Sequence, residues 1–294
     1  MPGASEDYAG RVRAALPSFF GPVEVAAALP STMARAAELA AAGAAEGATV
    51  VADAQSAGRG RLGRSWLAAP GTSLLVTVVL RPSLPPARAW LVSAAAGVAL
   101  ADATTAVLAG GGSTVARWAE RRRPPSVSVG LKWPNDLEVG GRKVAGMLAE
   151  ARIDGSRLEW VLLGLGVNVG QGPGDFLPEL ASRATSLSLA AGGAVDRVAL
   201  LAGWAERFAA GYRALAAGAA GPTLAAYQAR LGTLGRQVRA DLLGGDPVTG
   251  VAVGLGANGG LLIRTPAGGE VEVASGDVEH LRAGEPVGPV SRRP

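Results

Sequence analysis

The stretch "TSLLVTVVLRP", residues 72 to 82, limits the fold more than any other. It is almost continuously apolar and rich in β-branched side chains, so both of its faces have to be buried. Such a strand belongs in the middle of a sheet. Helices able to cover that sheet are legible along the chain. The hydroxyls of Ser31-Thr32 can cap a helix running from Met33 to Ala45. Residues 87 to 109 are alanine-rich and predict a second helix, and 196 to 230 predict more. Within the latter, Trp204, Phe208 and Tyr212 recur at i, i+4 and i+8, the spacing of a buried stripe. Further strands are expected in "ATVVADAQ" (48 to 55), "SVSVGLKW", "RKVAGMLAEAR" and "LEWVLLGLGVNV". Residues 1 to 30 show no strong period, and 110 to 126, with its Gly-Gly-Gly and "RRRPP", predicts an exposed loop with a solvated arginine cluster.

From Gly232 the pattern changes to short alternating strands separated by glycine turns, Asn258-Gly259 among them. About five strands are expected there, closing into a small SH3-like β-barrel. The fold class is therefore α+β: a mixed-sheet catalytic domain followed by an all-β domain. The expected boundaries are an N-terminal tail over 1–27, a catalytic domain over 28–232 and the small β domain over 233–294.

Composition removes several chemistries. The 294 residues contain no cysteine, which excludes disulfides, thiol nucleophiles and thiolate metal sites and agrees with a cytoplasmic protein. The one histidine, His280, lies far along in the β domain, so a Ser-His-Asp triad or a histidine metal site is not expected. No Walker P-loop is present, the N-terminus does not read as a signal peptide, and apolar runs such as Leu91 to Ala101 fall short of a membrane span. The formal net charge is only +4, which suits an enzyme for anionic substrates as well as a nucleic-acid binder. Of the 28 basic residues only Lys132 and Lys143 are lysine. A planar guanidinium cannot replace a compact ammonium, so these two, eleven residues apart, are candidates for a task closed to arginine.

Three constellations carry chemistry. In "GRGRLGRSW" (58 to 66), glycines allow a close backbone approach, while Arg59, Arg61 and Arg64 offer charge-assisted hydrogen bonds to phosphate or carboxylate. Mutual repulsion of the arginines predicts a loop that is mobile when empty and closes over an anion. In "LKWPNDLEVGGRKVAGMLAE" (131 to 150), Pro134-Asn135-Asp136 signals a turn and Gly140-Gly141 a hairpin, which brings Lys132, Asp136 and Lys143 to neighbouring strand ends. Acyl or phosphoryl transfer fits that set, and a purely structural ion pair between Asp136 and a lysine fits it too. In "VLLGLGVNV" (161 to 169), alternate glycines leave room for a ring against the strand.

In this order the motifs Ser31-Thr32, "QSAGRGRLGRSW", "KWPND", "RKVAG" and "GLGVN" resemble the bacterial biotin–protein ligases. The resemblance runs from about residue 28 to the end. It implies a two-step reaction with ATP, Mg2+ and biotin: the biotin carboxylate attacks the α-phosphate, pyrophosphate leaves, and the biotinyl-5′-adenylate is then attacked by a lysine. That lysine belongs to the biotin carboxyl carrier domain of acetyl-CoA carboxylase, a related acyl-CoA carboxylase or pyruvate carboxylase. Catalytic roles are implied for Lys143, Arg61 and Asp136, the last to orient or deprotonate the acceptor lysine. Biotin contacts are implied for Ser31, Thr32, Gln55, Gly58, Arg59, Gly60, Arg61, Lys143, Gly146 and Gly164. Adenylate contacts are implied for Arg61, Arg64, Trp66, Lys132, Asn135, Lys143 and Asn168. No protein ligand to the metal is assigned.

Two departures stand out. Met33 follows Ser-Thr where many members have asparagine, and the 110 to 126 segment is longer than the usual connection. About 30 residues ahead of the motifs are too few for a winged helix-turn-helix, so the implied enzyme has no repressor activity, binds neither nucleic acid nor membrane, and is a monomer or homodimer. A lipoate–protein ligase shares this fold but is not expected to carry these arginine and Lys-Trp-Pro-Asn-Asp motifs. From another class, an Arg/Gly-rich nucleic-acid-binding protein accounts for the charge and predicts affinity that falls steeply with salt.

Overall fold

The computed structural model describes residues 3–110, 127–242 and 245–281. The long loop expected over 110 to 126 lies, from residue 111 on, outside the described residues. The chain divides into two compact units, one of residues 1–131 and 135–230, the other of 132–134 and 231–294.

The first unit is built on a seven-stranded sheet of order β1-β2-β5-β9-β8-β7-β6. Its strands are β1 (Val23–Ala26), β2 (Thr49–Ala52), β5 (Ser73–Leu80), β6 (Val129–Lys132), β7 (Asp136–Val139), β8 (Arg142–Asp154) and β9 (Arg157–Asn168). β1 and β2 are parallel, whereas β2, β5, β9, β8 and β7 pair antiparallel. As the apolar run requires, β5 is central and every one of its residues is buried. Residues 1 to 30, where no period is legible, are not without structure. They hold helix α1 (Gly3–Ala15) and the edge strand β1. α1 carries little amphipathic signal because charged contacts fasten it: Arg11 bonds Asp196, and the Tyr8 ring lies 4.6 Å from the Arg197 guanidinium.

Helix α2 (Thr32–Ala41) is capped by Ser31, whose Oγ accepts the Ala34 N–H. Its buried face of Thr32, Met33, Ala36 and Ala40 packs on β2, β5 and β9. Helix α3 (Trp90–Leu108) covers the opposite face, where Gly97 rests on Met147. The stretch from Pro86 to Leu108 is long and apolar enough to cross a bilayer, but it is largely buried against α5 (Arg197–Ala216), α6 (Ala220–Arg230) and the sheet, as a core helix is. The aromatic stripe of α5 is core: Trp204 and Phe208 stack at 5.0 Å, and Tyr212 continues the row.

The second unit contains a five-stranded antiparallel sheet of β10 (Gln237–Asp241), β11 (Val248–Leu255), β12 (Leu261–Arg264), β13 (Glu270–Val273) and β14 (Asp277–His280). Their order is β13-β12-β11-β10-β14. Val238, Ala240, Ala252, Leu261, Ile263, Val273 and Val278 form its core. Trp133 belongs to this unit. Its backbone N–H donates to Thr233 Oγ1 at 3.0 Å, and its Nε1–H donates to the Gly259 carbonyl at 2.9 Å. His280 Nε2 stands 3.1 Å from the same Thr233 hydroxyl, and burial, followed by the Lys132 and Arg236 charges, lowers its pKa to about 4.

Candidate active site

The site lies on the sheet face turned away from α3, where alternating residues of β8 and β9 are glycines. Gly146 pairs with Gly166 and Thr77 with Gly164, so side-chain-free backbone runs across neighbouring strands. Two side chains fill this groove. The Trp66 indole lies over Gly146 and Gly166: an added Cβ would meet its ring at 3.2 Å and 2.7 Å. Met33 covers Gly164, with Sδ 2.6 Å from where a Cβ would stand. Gly164, for which the resemblance implies a biotin contact, is thus covered by the residue that departs from the usual asparagine.

Lys143 and Asp136 meet here. The hairpin of β7 and β8 turns on Gly140 and Gly141, both at positive φ, which a two-residue turn of matching twist requires. Pairing then slips between Leu137 and Glu138, leaving Val144 as an extra residue on β8. A bulge of this kind re-aims its neighbours, and Lys143 Nζ lies 2.7 Å from Asp136 Oδ1 and 5.9 Å from the Trp66 ring centre. The structural ion pair that the sequence left open is formed, beside the groove. The Lys143 backbone is held as well. Its N–H donates to the Arg183 carbonyl and its carbonyl accepts from Thr185 N–H, both at 2.8 Å.

The arginine loop forms a compact turn. β3 (Gly58–Arg59) and β4 (Ser65–Trp66) form a ribbon around a short 3-10 turn over Arg61–Gly63, in which Leu62 adopts φ 56°. Counter-groups offset the arginine repulsion. Arg59 pairs with Glu150 at 2.7 Å, and Arg61 Nη1 donates to Asn135 Oδ1 at 3.4 Å. Asn135 in turn donates its Nδ2 to the Met147 carbonyl at 2.5 Å. The Gly60 N–H donates to the Arg64 carbonyl, and the Arg64 side chain is exposed.

Deeper along the groove, Thr32 N–H and Oγ1 both donate to Gln55 Oε1, at 2.7 and 3.0 Å. Gly58 is glycine because a Cβ there would strike the Trp66 carbonyl at 2.5 Å and Gln55 Nε2 at 2.9 Å. Ser31 is used as the α2 cap. Asn168, expected beside the adenylate, is instead buried and committed within the protein. Its Oδ1 accepts from Gln171 Nε2 at 3.1 Å, and its Nδ2 donates to the Thr185 carbonyl at 3.2 Å. Lys132 ends β6 and groups with the second unit.

Sequence reasoning missed Glu150, Thr77, Gln171 and Tyr227. A hydroxyl inside the apolar β5 run was a usable signal for Thr77. Tyr227 had no signal: it is buried on α6, where desolvation raises its pKa while the Arg61 charge lowers it and Asp136 raises it. Its proximity to those two charges is a tertiary fact.

A sequence profile described as the biotin/lipoate A/B protein ligase family matches residues 25–168, and one described as the biotin protein ligase C-terminal domain matches 233–281. The biotin–[acetyl-CoA-carboxylase] ligase of Mycobacterium tuberculosis is 36% identical over 239 residues, 81% of this chain and 80% of its own length. The chain belongs to the biotin protein ligase family. Among solved structures, the biotin protein ligase of Aquifex aeolicus in complex with biotin and ATP is similar at TM-score 0.68 and 26% identity, over 89% of this chain and all of that one. The biotin protein ligase of Leishmania major in complex with biotinyl-5-AMP is similar at TM-score 0.56 and 25% identity, over 86% and 98%.

Proposed function

We propose that this chain is an ATP-dependent ligase that joins biotin to AMP and passes the biotinyl group to a lysine of a biotin carboxyl carrier domain. One observation carries the assignment to named residues: Lys143 and Asp136 sit 2.7 Å apart beside a backbone groove roofed by the arginine loop. In the first step a carboxylate oxygen attacks the α-phosphorus and the bond to pyrophosphate breaks. Both reactants are anions, so a fixed cation is needed to bring them into line. The Lys143 ammonium fills that role, and Arg59, Arg61 and Arg64 supply charge from the loop. Magnesium arrives with the triphosphate, as is usual where phosphates supply most of the oxygen ligands. Among the described residues no group of three acidic or histidine side chains forms a cage for it.

In the second step the acceptor amine attacks the acyl carbon and AMP leaves. Asp136 holds the incoming ammonium and takes its proton, exchanging its Lys143 partner for the substrate's. Thr32, Gln55, Gly58 and Gly146 line the biotin end, while Trp66, Arg61 and Asn135 face the adenylate. The carrier domain is that of acetyl-CoA carboxylase, a related acyl-CoA carboxylase or pyruvate carboxylase, and the enzyme works in the cytoplasm. Pyrophosphate release from ATP, measured with biotin, lipoate and octanoate in turn and followed by transfer to a carrier domain, tests this. Release with lipoate or octanoate but not with biotin would sink the assignment.

A further inference from the structure

The Lys143 backbone hangs on a short segment beside β8: Lys143 pairs in parallel with Ala184, and its hydrogen bonds to Arg183 and Thr185 flank that pair. The segment is tied down by a row of polar residues, Ser73, Asn168, Gln171, Thr185 and Ser186, all of them buried. Ser73 and Asn168 pair across β5 and β9, and Gln171 Nε2 donates to both side chains, at 2.7 Å to Ser73 Oγ and 3.1 Å to Asn168 Oδ1. Ser186 caps α4 (Leu187–Ala191) by accepting the Leu189 N–H, and its own hydroxyl donates to the Gln171 carbonyl at 2.6 Å. One group that cannot reverse sets the direction of both amides. The Thr185 carbonyl only accepts, so the Asn168 atom 3.2 Å from it is the amide nitrogen. The Asn168 oxygen is then turned to Gln171, and the Gln171 atom that meets it must be the donor. Gln171 Oε1 is left buried, with no hydrogen-bond partner among the described residues. A buried acceptor without a donor destabilises the fold, and an apolar side chain of the same length would leave no such orphan. Fold stability therefore gives no reason for an amide at this position. The orientation of Asn168 does.

We propose that Gln171 is a positioning residue for Lys143: it holds the Asn168 amide with its nitrogen on the Thr185 carbonyl, and so fixes the segment that clamps the Lys143 backbone. A lysine ammonium rides on a flexible four-carbon stem. Its position is therefore set at two ends, by Asp136 at the tip and by the clamp at the base. When Asp136 exchanges Lys143 for the substrate amine, the base is the end still held. Without the Gln171 donor, the Asn168 oxygen loses its partner, the amide loses its fixed face, and the Thr185 carbonyl loses its donor whenever that amide turns. The damage falls on the alignment of the reacting anions and not on affinity for biotin or ATP. The proposal rests on Lys143 as the cation of the assigned reaction.

Kinetics and amide exchange on the full chain test it. Gln171→Met keeps the length of the side chain and removes the donor. Its kcat for biotin-dependent pyrophosphate release should fall about fivefold, with KM for biotin and for ATP within about twofold of wild type. The double variant Gln171→Met, Asn168→Ala should be no slower than Asn168→Ala alone, because the glutamine acts through the asparagine. Hydrogen exchange of the Thr185 amide, followed by NMR, should quicken at least about fivefold in Gln171→Met, while that of Val78 in the middle of the sheet stays as in wild type. If Gln171→Met does not fold, Gln171→Leu, which also lacks the donor, carries the same expectations. Wild-type kcat in the single variant, losses that multiply in the double variant, or unchanged exchange at Thr185 overturns the proposal. A wild-type protein that releases no pyrophosphate with biotin would instead count against the assigned reaction, and exchange at Thr185 would still decide whether Gln171 holds the clamp.

Discussion

Trp66 and Gly166 are in direct contact: indole Cε2 lies 2.7 Å from the position a Gly166 Cβ would take. The ring reaches the sheet only because β8 and β9 place paired glycines under it. Its buried Nε1–H has no hydrogen-bond partner among the described residues, a state that costs about 1–3 kcal/mol. Packing on the glycines holds the ring, with the Lys143 ammonium 5.9 Å from its centre.

Gly166→Ala should therefore push Trp66 and its loop outward, since overpacking at a site this tight forces movement. Limited trypsin digestion should cut faster after Arg59, Arg61 and Arg64, and biotin-dependent pyrophosphate release should fall at least about tenfold. Wild-type cleavage kinetics in this variant would mean that the loop is held by its ion pairs and not by the glycine cradle.

Lys143→Arg keeps the charge but replaces a compact ammonium beside Asp136 with a planar fork. Displacing a reacting group by about 1 Å costs on the order of a hundredfold. Adenylation should drop by that factor with the melting temperature unchanged. Near-normal turnover would show that any cation suffices at this position.

Arg61→Gly removes the side chain that bonds Asn135. Loss of a charge-assisted contact should release the adenylate about tenfold faster or more. Activated biotin would then label bystander lysines on added albumin, read by avidin blot. If labelling stays confined to the carrier domain, Arg61 does not retain the intermediate.

Asn168→Ala separates two roles. An adenylate contact predicts a higher KM for ATP. Asn168 instead braces Thr185, the residue whose N–H bonds the Lys143 carbonyl, so kcat should fall about tenfold with KM for ATP within twofold of wild type. A raised KM for ATP with kcat preserved would restore the contact role.

His280 gives the second unit a pH dependence. Its folded-state pKa of about 4 is below the ordinary 6.5, so the unfolded chain takes up its proton first as pH falls. The stability linked to this depressed pKa is complete above about pH 6.5 and is lost progressively toward pH 4. Melting temperature followed between pH 7 and 5, above most carboxylate titrations, should decline, and His280→Asn should flatten the slope. Parallel slopes for the two proteins would assign the effect elsewhere.

Much of the architecture was legible because it follows from local patterns. The continuous apolar run at 72 to 82 fixes β5 as a central strand, the i, i+4, i+8 aromatics give the buried face of α5, and glycine-punctuated alternation gives the five C-terminal strands. The site was legible as a set of residue types: a lone pair of lysines, an arginine loop, a Pro-Asn-Asp turn. α1 was not, since charged contacts made more than 180 residues away in sequence hold it in place, and no local period records them.

By itself, the sequence determined which chemical groups are available and roughly which strand ends carry them. Only the tertiary structure decided their partners. It packed Met33 into the Gly164 notch, withdrew Asn168 into a buried network, placed Trp66 on Gly146 and Gly166, and put Tyr227 near Arg61 and Asp136. The physical reason is range. Propensity and alternation act over a few residues, whereas a cross-strand register, a bulge at Val144 or a hydrogen-bond row from Thr77 through Thr32 to Gln55 exists only after distant segments have paired.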